Sequence, residues 1–186
     1  MAIYRVKRIV LESFPVLTAG IIISLVAGYM LNSSIQKIAE LPIILMMIPP
    51  INGIGGNIGS ILGARLTSAL HLGTLEPRLS GQRVLRRNMA ASSLVSFIIF
   101  SLIGAIFFAI AYLSGIPLAR SLSLALAFFI AGIALAAAVM FVTIASAFVS
   151  FRGGLDPDNV VIPIVTSVGD VLGVTCLLVA IIIVGV

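Results

Sequence analysis

Charge is what this 186-residue chain has least of. Charged residues make up 9% of it and hydrophobic residues 61%, whereas soluble domains carry about 25% charged residues. A soluble fold of this length could not bury so much apolar surface, so the composition excludes that class. Cysteine is nearly absent too. Cys176 is the single thiol, which rules out an internal disulfide, and it lies in an apolar run where it reads as a small buried hydrophobe. Histidine is limited to His71, which reads as an interface or loop residue at a helix end. The lack of thiolates and clustered histidines argues against zinc or copper uptake. The start is basic, but the apolar run behind it is too long for a signal core and has no clean small-residue cleavage site, so it reads as a retained first helix.

What is present is a series of long uncharged runs. Residues 13–36, 41–64, 88–119 and 121–151 carry no charge, and 159–186 carries one, Asp170. A membrane span needs about 20 apolar residues. The runs predict an all-α membrane protein of five transmembrane helices, over about 10–36, 42–71, 84–114, 118–150 and 159–185. The longest polar stretch, about 72–87, is a loop or helix start. No internal repeat is visible.

The net charge of +5 is distributed by loop. Arg5, Lys7 and Arg8 precede the first helix. Arg78, Arg83, Arg86 and Arg87 lie between the second and third, and Arg152 between the fourth and fifth. The opposite loops hold only Lys37 and Arg120. This bias is a topology signal rather than a nucleic-acid surface. It places the N-terminus in the cytoplasm and the C-terminus outside, in a multi-pass protein of the cell membrane. Arg65 lies in the second helix near its basic end and reads as a snorkelling or loop-anchoring residue.

The second helix holds Pro49-Pro50, Asn52-Gly53 and Gly55-Gly56-Asn57-Ile58-Gly59. Proline removes a helical hydrogen bond, and glycine permits departure from helical geometry. In lipid, irregular backbone survives only against protein or a water-filled cavity. The segment therefore predicts a helix interrupted by Pro/Gly whose carbonyls and amides, at Asn52, Gly55, Gly56 and Asn57, line an ion path. The competing reading is close helix packing through the Gly55-x-x-x-Gly59 motif.

Asp170 has eleven uncharged residues before it and sixteen after. A charge at mid-span costs about 2.5–3.5 kcal/mol on insertion scales. Such residues face a bundle interior, a partner or a hydrated path. Thr166 is one turn earlier on the same face, and Gly169 and Gly173 form a small-residue stripe beside it. A protonated carboxyl bonded to Thr or Asn across helices is the structural alternative. One carboxylate is little charge for a divalent ion, but a twofold axis would bring two copies together, and carboxylate, carbonyl and water are what hard cations prefer. Asp156 and Asp158 precede the fifth helix. Their first role is N-capping, and the other is a second, weaker cation site at the cytoplasmic mouth.

Two segments carry a family resemblance. Pro50-Ile51-Asn52-Gly53-Ile54-Gly55-Gly56-Asn57, and Gly154-Leu155-Asp156-Pro157 followed by Pro163-x-x-Thr166-x-x-x-Asp170, resemble the second- and fifth-helix signatures of the MgtE family of magnesium channels and transporters. Ala64-Arg65-Leu66-Thr67-Ser68 and Asp156-Pro157-Asp158-Asn159 are closer still to the animal solute-carrier magnesium transporters of that superfamily. The resemblance implies that residues 1–186 form a single MgtE-like transmembrane domain and that two copies pair around a pore. Bacterial members carry cytoplasmic regulatory domains, and the expectation that this chain has no cytoplasmic regulatory domain departs from that pattern. It implies that Asp170 holds hydrated Mg²⁺, that the Thr166 carbonyl faces the ion, and that Asn57 and its glycines line the pore. The expected function is transport or conduction of Mg²⁺, with Mn²⁺ or other divalents as further cargo, by a homodimer in the bilayer and not by an enzyme. A Na⁺- or H⁺-coupled exchanger is the alternative, and a non-transporting scaffold subunit a further one.

Overall fold

The computed structural model describes residues 6–38 and 42–186, with side chains described for 6–33 and 42–186. The described residues form five helices: α1 (Val6–Ile38), α2 (Pro42–His71), α3 (Arg83–Leu113), α4 (Leu118–Arg152) and α5 (Pro157–Val184). All five are long and apolar enough to cross a membrane. Their ends fall within about four residues of the boundaries the charge-free runs predict, because charges and turn residues, not propensity, set those ends.

α4 is the centre. It packs on α2, α3 and α5, and Leu124, Phe128, Leu135 and Val139 on it are essentially fully buried. α5 has α4 on one side, α2 on another and α1 on a third, while α1 and α2 barely touch. α1 is the outlying helix. Ile21, Ile22 and Leu25 are more than half exposed, as befits a helix facing lipid acyl chains.

α2 is a continuous helix across Pro49 and Pro50, which corrects the expected interruption. The two prolines deprive the Leu45 and Met46 carbonyls of their helical donors, but the chain does not unwind. Met47 and Ile51, which flank the pair, are completely buried. Membrane helices tolerate such a local loss when neighbours hold both flanks.

The glycines serve the α2–α5 crossing instead. These two helices run antiparallel, with Asn52 against Gly173, Gly56 against Gly169, Gly59 against Val165 and Gly63 against Val161. A methyl placed on Gly169 would lie 3.7 Å from the Gly56 nitrogen, and one on Gly63 would lie 2.9 Å from Val161 Cγ1. With lipid as solvent, close backbone approach of this kind is what drives helices together.

Polar groups tie the basic end of the bundle. Gly154 takes φ +71°, and Leu155 N–H donates to Ser150 O at 3.0 Å, a left-handed glycine stop that ends α4. Asp156 then caps α5, its Oδ1 accepting from Asp158 N–H at 3.1 Å. Arg152 donates to the Pro77 carbonyl of the α2–α3 loop.

Candidate cation site

α5 forms the floor of a trough whose two walls are α1 and α2. Thr166 is exposed on that floor and Asp170, one turn on, is half-buried. On the α2 wall, Asn57 and Gly53 are exposed, on the side of α2 that turns away from α4. Thr166 lies against α2 at Gly56, the residue before Asn57, where an added Cβ would touch Thr166 Cγ2 at 3.5 Å. Among the described residues nothing covers the trough, and Thr166, Asn57 and Gly53 stay exposed.

Asp170 is held from the other wall. Ser24 Oγ of α1 donates to Asp170 Oδ2 at 3.1 Å, which leaves Oδ1 without a hydrogen bond to side chains among the described residues. A lone hydroxyl of this kind orients a carboxylate without neutralising it. The Thr166 hydroxyl donates to the Ile162 and Pro163 carbonyls at 3.0 and 3.1 Å. Its proton is therefore spent on the backbone, and the oxygen presents only acceptor capacity to the trough.

α1 and α5 are parallel, with Glu12 opposite Asn159, Gly20 opposite Ser167 and Ser24 opposite Asp170. At the basic end Glu12 closes the α1 wall. Its carboxylate accepts from Arg8 Nε at 2.7 Å, Asn159 Nδ2 at 2.9 Å and Asp156 N–H at 3.2 Å, while Arg8 also donates to Gly154 O at 3.0 Å. His71 Nε2 lies 3.6 Å from Asp156 Oδ1, and its ring meets Phe151 edge-on. Asp156 thus caps α5 and lies beside His71. Asp158 is exposed in the first turn of α5, and no group of three or more His, Cys, Asp or Glu among the described residues forms a ready-made metal cage.

The residues singled out in the sequence do not all reach one place. Asp170, Thr166 and Asn57 border the trough, and Gly56 supports its wall. Gly55 faces α4, where an added Cβ would come within 2.6 Å of Leu135 Cδ2. Asn52 points at Gly173 inside the α2–α5 contact, and its buried Oδ1 has no donor in the structure. Arg65 is exposed on the α3 side of α2. Ser24 and Glu12 escape sequence reading. A serine in an apolar span carries no signal of its own, though the Arg8–Glu12 spacing of four is visible as an ion pair along a helix.

The family described as MgtE, divalent cation transporter, matches residues 48–180. The chain belongs to the MgtE family. The match runs from the second turn of α2 almost to the end of α5, and so contains Asn57, Thr166 and Asp170 but not Ser24. Two similar relatives are solute carrier family 41 member 3 of Mus musculus and of Rattus norvegicus. The first is 25% identical over 178 residues, 88% of this chain and 36% of its own length. The second is 24% identical over 176 residues, 91% of this chain and 36% of its own length. The chain therefore spans about a third of the relatives it matches. With five membrane-length helices and membership of a transporter family, this is a multi-pass membrane protein and not an enzyme.

Ser24→Ala separates the orienting role from bulk packing. A hydrogen bond to a charged group contributes about 1.5–3 kcal/mol, so loss of the lower value raises the half-saturating divalent concentration by about 10-fold with little change in maximal flux. Ser24→Thr keeps the hydroxyl and should restore the parent value. An unchanged half-saturation in the alanine variant would remove Ser24 from the site.

Proposed function

We propose that this MgtE-family chain carries hydrated Mg²⁺ across the membrane as a homodimer, with Asp170 of each copy holding the ion on the shared axis. The observation that supports this most directly is the uncovered trough. A mid-span carboxylate, held by one hydroxyl and bordered by the exposed Thr166 and Asn57, has an open side that faces away from its own helices. A second copy related by a twofold axis would roof the trough and supply the second carboxylate. Mg²⁺ gives up water reluctantly, and the trough offers acceptor oxygens rather than a closed cage, which suits an ion that keeps its water shell. In this reading residues 1–186 act as one transmembrane domain, with the basic end cytoplasmic and the C-terminus outside.

The test is thermal unfolding in detergent with a panel of cations. A ligand at 100 times its Kd stabilises the native state by about 2.7 kcal/mol, equivalent to roughly 5–11 °C for a chain of this length. Mg²⁺ should produce this shift at far lower concentration than Na⁺ or K⁺, and Asp170→Ala should abolish it. Equal shifts from Na⁺ and Mg²⁺ would favour a Na⁺-coupled carrier, and liposome flux with and without a Na⁺ or pH gradient separates that from a passive path.

A further inference from the structure

α2 and α3 follow one another in the chain yet pack only loosely. Two clefts open along their seam, of about 270 and 470 Å³, and both are lined by Arg65. Toward the middle of the bundle the seam is mainly apolar, with Ile58, Ile61, Ala91 and Val95 beside one hydroxyl, Ser92. Toward the basic end Ser68, Thr74 and Asn88 stand among Ala64, Ala69 and Leu72. Arg65 lies six residues before the end of α2, about 9 Å at the helical rise of 1.5 Å per residue, which is headgroup depth.

Arg65 has no carboxylate within 4 Å among the described residues, whereas Arg8 and Arg78 are paired with Glu12 and Glu76. Its polar neighbours cannot substitute for a counter-ion. The Ser68 and Thr74 hydroxyls donate to the Ala64 and Ala69 carbonyls, and Asn88 uses one amide hydrogen on Val84 O. The neighbouring face of α3 adds to the positive field. Arg83, Arg86 and Arg87 line a hollow of about 550 Å³, again without carboxylate partners among the described residues. Gln82 leaves the first turn of α3 uncapped because its side chain is engaged with Glu76 and Arg78. An apolar slot that ends at an unpaired cation at headgroup depth has the chemistry of one molecule, a phospholipid with a net negative headgroup.

We propose that the α2–α3 seam binds an anionic phospholipid, its phosphate on Arg65 and one acyl chain along Ile58, Ile61 and Val95. Positive-inside placement alone accounts for the arginines of the loop. It does not account for an apolar cleft leading from mid-bundle to the arginine set inside the helix.

The experiment is thermal unfolding of the purified protein with phosphatidylglycerol, with phosphatidylcholine of the same chains, and with inorganic phosphate. Phosphatidylglycerol is expected to raise Tm by about 3–6 °C beyond phosphatidylcholine, and inorganic phosphate by nothing measurable. Arg65→Gln should lose at least half of that difference. Ile61→Trp, at an exposed position, blocks the chain slot with the charge intact and should lose it as well, and it decides the matter alone if the arginine variant does not fold. Retention of the full difference in Ile61→Trp, retention in a folded Arg65→Gln, or an equal shift from inorganic phosphate would overturn the proposal.

Discussion

Asp170→Ala is expected to abolish rescue of a magnesium-uptake-deficient cell while the protein still inserts and folds. The electrostatics set the size of the effect. A doubly charged ion at roughly 5 Å, one water layer away, attracts a carboxylate by about 6–7 kcal/mol at an effective dielectric near 20. Desolvation offsets most of that. If about 2 kcal/mol per carboxylate survives, each lost charge weakens binding about 30-fold, and a twofold pair loses two. Stability should move the other way. The carboxylate costs about 2.5–3.5 kcal/mol to insert at mid-span, and its removal forfeits only the hydrogen bond from Ser24, worth about 1.5–3 kcal/mol. The Tm in detergent without divalents should therefore be unchanged or slightly raised. Asp170→Asn keeps a partner for Ser24 but removes the charge, so it should fold equally well and still fail to rescue. Full rescue by the asparagine variant would make Asp170 a hydrogen-bonding strut.

That contrast depends on where the sequence is informative. Spans were legible because an uncharged run of membrane length has few alternatives, and Asp170 stood out because one acid interrupts such a run. The cap at Asp156 was legible for the same local reason, since capping involves residues two apart. The second helix was not. Pro-Pro and four clustered glycines look like a break when only local backbone preference is considered. In the fold, Met47 and Ile51 are buried on either side of the prolines, and Gly55, Gly56 and Gly59 face helices instead of leaving helical geometry. Tertiary packing decides between those outcomes, and it is invisible to a one-dimensional pattern. Ser24 and Glu12 were hidden more completely, because their roles exist only through α1 lying parallel to α5.

The glycines of α2 can be separated by what surrounds them, and Gly59 carries the largest expected cost. A Cβ at Gly59 would overlap the Val165 and Val139 side chains and approach Thr143 Oγ1 to 3.1 Å. Both valines are essentially fully buried, so neither can step aside into lipid. Overpacking of a tight core costs about 1–3 kcal/mol and sometimes more, so Gly59→Ala should lower Tm by roughly 3–10 °C and Gly59→Leu should prevent the α2–α5 contact from forming. Gly53 is the control. Nothing lies within 4 Å of its Cβ direction, and alanine is a better helix former than glycine by about 1 kcal/mol. Gly53→Ala should hold or raise Tm. Gly56 is intermediate, since a methyl there would make only ordinary contact with Thr166 at 3.5 Å. Gly56→Ala should fold, while its methyl encroaches on the trough beside Thr166. Reduced divalent flux from a stably folded Gly56→Ala, set against lost folding in Gly59→Leu, would assign the first glycine to the ion path and the second to helix packing. Equal destabilisation by alanine at 53, 56 and 59 would mean instead that α2 is interrupted in the membrane and that its glycines are needed for backbone freedom.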